Sequence, residues 1–197
     1  PKQEERYSRM IQAALGEFCR KGYPEVCVEV VAKRANVSKA TLYNHFLNKE
    51  ALFMAVFDFS LKKMDQKLHE TPIPSNSNPF EKGKSMIRRF LKEIVENPEY
   101  DFSFKNGELV NPSLRKKMME RFFSSGFIFS KQEIQKGQME RVIKSHLDPN
   151  VLLYGALGMV LHVLTFWRLD QKALPLNTCA EQIAEILFHG AFAREKN

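Results

Sequence analysis

ANVSKATLYNHFLNKEAL, residues 35–52, sets Asn36, a residue that tolerates left-handed backbone, just before an apolar Val37 and a Ser38 able to cap a helix. Beyond Ser38, Leu42 and Phe46 are four residues apart and so share one face of a short helix. The remaining side of that helix carries Lys39, Ala40, Thr41, Tyr43, Asn44 and His45. From Lys33 to Lys49 the chain has four basic residues, Lys33, Arg34, Lys39 and Lys49, and no acid. Working back, Val28, Val31, Ala32 and Ala35 recur at helical spacing and predict a short helix that ends at Asn36. The pair reads as a helix–turn–helix whose second member is slim, polar and positive outward, the geometry that enters a DNA major groove. Tyr43 then need not be buried: its hydroxyl can donate to a phosphate oxygen while its ring packs on a sugar or a thymine methyl. Ala40 keeps the helix close to the base edges.

Outward from this segment, Tyr7, Ile11, Ala14, Leu15 and Phe18 form the apolar stripe of a first helix that stops at Gly22, the residue best suited to a left-handed C′ position. Downstream, a cap residue followed by proline occurs at Asn78-Pro79, Asn97-Pro98, Asn111-Pro112 and Asp148-Pro149, and each predicts a helix start. Thr178 and Glu181 have capping-box spacing, which predicts a last helix from about Thr178 to Arg194. Strand-like alternation is nearly absent. The expected fold is all-α: an N-terminal three-helix domain with a helix–turn–helix, then a larger helical domain. The polar stretch Thr71 to Phe80 is the clearest loop. The functional boundary is placed before it, inside the helix that starts at Lys49, giving domains 1–56 and 57–197.

The chain has 197 residues, 44% hydrophobic and 27% charged, the balance of a folding globular protein. A net charge of +7 favours anionic partners, nucleic acid or an anionic membrane. Cys19, Cys27 and Cys179 are an odd number with no close pair, so neither a disulfide framework nor a Cys-x-x-Cys site is predicted, and a reducing cytoplasm fits. The start of the chain is charged and shows no secretory signal. The uncharged run Val151 to Trp167 falls short of the roughly 20 apolar residues of a bilayer span and is read as a buried helix. No HExxH, glycine-rich phosphate loop or serine-centred nucleophile elbow is present, so no catalytic residue, cofactor or metal ligand is assigned. Two rivals stand beside the DNA reading. One is a helical enzyme or small-molecule-binding protein whose helix–turn–helix is structural. The other is lipid headgroup binding, which requires large apolar residues on the outward face, where Lys39 to His45 offers only Tyr43.

Residues 22–52, GYPEVCVEVVAKRANVSKATLYNHFLNKEAL, resemble the N-terminal domain of the tetracycline-repressor (TetR) family of bacterial transcriptional regulators. The likeness is carried by Gly22-Tyr23, Val31-Ala32, Ala35-Asn36-Val37-Ser38, Thr41-Leu42-Tyr43, His45-Phe46, Lys49-Glu50 and Leu52. It implies that Thr41, Tyr43 and Lys49 contact the DNA backbone, and that Lys39, Ala40, Asn44 and His45 lie near base edges, with Ser38 capping the helix. His45 has an equal alternative as a structural residue bonding a nearby carbonyl. The resemblance further implies a ligand-responsive repressor that binds a palindromic double-stranded operator as a homodimer and is released by a small-molecule effector. Three positions depart from the family pattern. Val26 and Cys27 replace a common Thr/Ser pair, and Glu29 stands where Arg is frequent, so a hydroxyl cap is lost and Glu29 would repel a nearby phosphate.

In the larger part, Phe102 and Phe104 sit in an irregular stretch between helices, where apolar side chains commonly line a cavity. The resemblance implies an effector pocket there; Phe127, Tyr154, His162 and Phe166 complete the candidate ligand contacts, Tyr154 and His162 as its polar members. The last two long helices are too apolar for a monomer's surface. Gly155 and Gly158 permit close helix approach, and a four-helix interface between two copies follows. The alternative is that these helices are the covered core of a monomer.

Overall fold

A computed structural model describes residues 2–74, 78–97, 99–100, 106, 109–125, 131–170 and 174–191. The described residues are helical, without a strand: α1 (Lys2–Lys21), α2 (Val28–Arg34), α3 (Lys39–His45), α4 (Lys49–His69), α5 (Pro79–Glu96), α6 (Pro112–Ser124), α7 (Lys131–Met139), α8 (Pro149–Leu169) and α9 (Leu176–Ala191). They group into two compact units, Pro1–Gln66 with Ile94–Phe122, and Lys67–Glu93 with Phe123–Asn197.

In the first unit, α1 buries Met10, Ile11, Ala14 and Phe18. The stripe is rotated from the predicted one: Tyr7 is 42% exposed, while Glu17 is buried and pairs with Arg20 at 3.1 Å and Arg34 at 2.8 Å. Gly22 ends α1 with φ +80, as its freedom from a Cβ allows, and its N–H donates to the Phe18 carbonyl. Phe18 and Tyr23 both meet the Phe53 ring edge-on, at 5.1 and 5.0 Å, which brings the α1–α2 turn against α4. Later chain returns to this unit. Lys117 of α6 pairs with Glu50 at 2.6 Å and Arg121 with Asp58 at 3.3 Å, both on α4.

In the second unit, α5 meets α9 through Phe80 and Phe188, 5.4 Å apart and edge-on, and through Arg88 and Glu181 at 3.3 Å. Three of the four predicted proline starts are realised: Asn78, Asn111 and Asp148 each accept a backbone N–H of the following first turn. Pro98 lies outside the described residues. The capping box at Thr178 is not formed. The helix opens earlier, at Leu176, with the Cys179 N–H on the Pro175 carbonyl, and Glu181 is spent on Arg88 instead.

The prediction that Val151 to Trp167 is a buried helix needs correction. By length and composition α8 could cross a membrane, yet only 28% of its most apolar window is buried in the chain. Leu153, Ala156, Leu157, Val160 and Leu164 point inward. Val151, Tyr154, Phe166 and Leu169 are exposed, and a Cβ on Gly155 or Gly158 would meet nothing within 4 Å.

Candidate nucleic-acid interface

The turn between α2 and α3 follows from Ala35-Asn36-Val37. Asn36 takes φ 53, the left-handed conformation that stops α2, and the Val37 N–H then reaches the Ala32 carbonyl at 3.0 Å. Ser38 turns the chain into α3: its hydroxyl accepts the Thr41 N–H at 3.0 Å and lies 2.8 Å from the Thr41 hydroxyl. Leu42 and Phe46, 1% and 4% exposed, hold α3 against the body of the unit, and burying each contributes roughly 1.5–3 kcal/mol. Their spacing leaves Lys39, Ala40, Tyr43 and Asn44 exposed, with Thr41 and His45 half-buried. Asn48 caps α4 by accepting the Ala51 N–H, a role the sequence reading did not assign.

His45 sits beside aromatic rings, 6.3 Å from Tyr7 and 6.2 Å from Phe46. Lys49 lies against the α1–α2 turn. Its ammonium donates to the Pro24 carbonyl at 3.0 Å and stands 4.9 Å above the Tyr23 ring, where partial burial draws its pKa down. Burial, with the nearby Glu50 carboxylate, raises the Tyr23 hydroxyl.

The segment without acids is not a row of free cations, because acids arrive from other helices. Arg34 is held by Glu17 of α1. Lys39 is ion-paired with Glu29 of α2 and stands 5.8 Å over the Tyr43 ring. Cys27 is the N-cap of α2 but makes no side-chain capping bond, as its departure from the hydroxyl pair predicted. Its thiol instead donates to Glu29 at 2.8 Å. That bond, followed by the bond from Lys39, lowers the Glu29 pKa to about 2, while Glu29 raises the Lys39 pKa. An open cleft runs between α2 and α3, lined by Glu29, Lys33, Asn36, Ser38 and Lys39. The sequence showed Glu29 as a repulsive charge; its pairing across the turn was not visible there.

Three of the candidate effector contacts, Tyr154, His162 and Phe166, lie on α8. Phe102, Phe104 and Phe127 lie outside the described residues. Tyr154 and Phe166 are 53% and 67% exposed, with the Tyr154 ring edge-on to Phe123 at 4.3 Å. His162 is also exposed, its Nδ1 2.9 Å from the Gly158 carbonyl. Among the described residues no group of three or more His, Cys, Asp or Glu side chains could hold a metal ion.

Residues 10–56, which include all of this site, match the family model "Bacterial regulatory proteins, tetR family". The HTH-type transcriptional regulator YhgD of Bacillus subtilis is 30% identical over 181 residues, 89% of this chain and 91% of that one. The HTH-type transcriptional repressor KstR of Mycobacterium tuberculosis is 27% identical over 96 residues, covering 49% of this chain and 43% of its own. In fold, the chain is similar to the transcriptional regulator FadR of Bacillus subtilis, solved in complex with stearoyl-CoA. The TM-score is 0.75 at 20% identity, over 93% of this chain and 98% of that one.

Proposed function

The chain belongs to the tetR family of bacterial regulatory proteins, and from that premise we propose that it is a cytoplasmic homodimeric repressor, released from a palindromic operator by a small-molecule effector. The observation that carries the DNA-contact assignment is the orientation of α3. Leu42 and Phe46 are buried while Lys39, Ala40, Tyr43 and Asn44 face solvent, so the side of the helix left open is the one slim enough for a groove. In this reading the functional DNA-binding domain is 1–56 and the effector and dimerisation domain 57–197. Tyr43 and Thr41 contact phosphate, Ala40 and Asn44 lie at base edges, Ser38 contributes through the cap, and Lys49 meets phosphate with the donors that Pro24 leaves spare. His45 packs with Tyr7 and acts structurally.

The dimer forms through α8 and α9. Val151, Tyr154, Phe166, Leu169 and Ile186 expose apolar surface that a second copy covers by two-fold symmetry, and the open glycines of α8 let the helices approach closely. Tyr154, His162 and Phe166 serve this face rather than a cavity. Two recognition helices in such a dimer reach half-sites about 34–36 Å apart. An effector that favours a conformer with another spacing needs a coupling of about 1–3 kcal/mol to release the operator. Stearoyl-CoA is the first effector to test, because the FadR fold neighbour holds it.

Fluorescence anisotropy on a duplex enriched from a random pool tests the assignment. Tyr43→Ala weakens binding roughly 10- to 100-fold, the value of a hydrogen bond to a charged group. Tyr43→Phe recovers only the part owed to the ring. Unchanged affinity in Tyr43→Ala removes α3 from the interface.

A further inference from the structure

The acid on the proposed DNA face is the feature that simple phosphate binding does not use. Glu29 is half-exposed and sits beside Lys39, the first residue of α3. A carboxylate there weakens any contact with a phosphate oxygen, and it occupies the ammonium that would otherwise neutralise one. Yet the two groups are not saturated. A carboxylate has about four lone-pair sites, and the bonds from Cys27, Lys39 and the Glu29 backbone N–H use three of them. An ammonium has three N–H donors, and one of these faces Glu29. The cleft between α2 and α3 leaves both heads open to solvent.

What remains on offer is an acceptor and a donor side by side, fixed by their own ion pair. In the major groove both A·T and C·G set a donor beside an acceptor, and C·G is the pair that matches these side chains, because carboxylates accept from cytosine N4 and lysines donate to guanine O6 or N7. The cytosine N4 amino group donates to guanine O6 at about 2.9 Å, and each atom keeps capacity for a further partner. Resting on the DNA-binding reading above, we infer that Glu29 and Lys39 together read one C·G base pair in each half-site. Glu29 accepts from cytosine N4, and Lys39 donates to guanine O6 or N7. Glu29 is thus a specificity-determining residue contributed by α2, outside the recognition helix. The bonds from Cys27 and Lys39 hold its carboxyl well below the usual carboxylate range, so near neutral pH it is ionised and accepts only. Neighbouring Ala40 and Asn44 are exposed on the same helix as Lys39. The same acid disfavours sequence-independent binding, because pairing with Glu29 withholds Lys39 from phosphates.

The test is selection from a random duplex pool with the wild type, Glu29→Gln and Lys39→Gln, then anisotropy on the enriched duplex and its single-base-pair variants across a salt series. The wild type is expected to require a C·G pair at one symmetric position, with roughly 5- to 100-fold loss on changing it. Glu29→Gln and Lys39→Gln lose that preference at the same position and no other. Glu29→Gln also binds a scrambled duplex more tightly, with a salt slope steeper by about 0.9 per half-site as Lys39 is freed. If the wild type enriches a palindrome and both variants enrich the same one with equal preference at every position, the inference fails and the DNA-binding reading stands. If the wild type enriches no sequence, both fail.

Discussion

The side-chain oxygen of Asn106 lies 2.5 Å from the backbone nitrogen of Tyr23 and accepts its N–H across 83 residues of chain. Asn106 is buried, and the neighbouring Leu109 approaches Gly22 so closely that an added Cβ would stand 3.0 Å from its Cδ1. The turn after α1, and through it Lys49 on the Pro24 carbonyl, is therefore braced by residues far along the chain. Asn106→Leu keeps the branching at Cγ but strands the Tyr23 N–H, and is expected to cost about 1–3 kcal/mol in urea unfolding. A melt identical to wild type would show that the bond contributes nothing net.

Lys49 has a packing role as well as the proposed phosphate contact, and the two separate in one variant. Lys49→Met keeps the stem over the Tyr23 ring but removes the donor to Pro24 and the charge. Stability should fall by about 1 kcal/mol, and the salt slope of operator binding should become shallower by about 0.9 per half-site. An unchanged slope restricts Lys49 to the turn.

The α8 cap titrates. The Asp148 carboxylate accepts the N–H groups of Asn150 and Val151, and these bonds lower its pKa below the ordinary 3.8. A depressed folded-state pKa means that the cap's contribution is complete above that ordinary value and disappears as the pH falls through the folded one. Asp148→Asn, which caps without titrating, should therefore gain on the wild type in thermal melts as the solution is acidified and lose to it near neutrality. A difference independent of pH contradicts the assignment.

Gly155 distinguishes a covered α8 from a solvated one. Inside a single chain its Cβ would meet nothing, so Gly155→Leu leaves the fold intact and raises helix propensity by roughly 1 kcal/mol. If a second copy packs on this face, the added side chain separates the helices, and sedimentation velocity should show a monomer with full helical circular dichroism. A variant that remains dimeric places the interface elsewhere.

Much of the fold was legible because it depends on local backbone chemistry. Gly22 and Asn36 took the left-handed conformations their side chains permit, the Asn/Asp-Pro pairs at 78, 111 and 148 opened helices, and Leu42 and Phe46 fixed which side of α3 is buried. Each is decided within about one helical turn, where spacing and φ restrictions act directly. The family resemblance lay in the same short segment for the same reason.

Other features were settled only when distant segments met. Charge counted along residues 33–49 shows cations alone, yet Arg34 meets Glu17 from α1 and Lys39 meets Glu29 from α2, so the character of the surface comes from helices packed side by side. Nothing near Tyr23 in sequence announces that Asn106 will accept its N–H. Likewise, the hydropathy of α8 is a property of its residues, whereas which of them stay uncovered depends on what the rest of the chain leaves unpacked. Local sequence fixes conformation over a few residues; ion pairs, buried hydrogen bonds and exposed apolar faces are relations between segments, and only folding brings those segments within reach of one another.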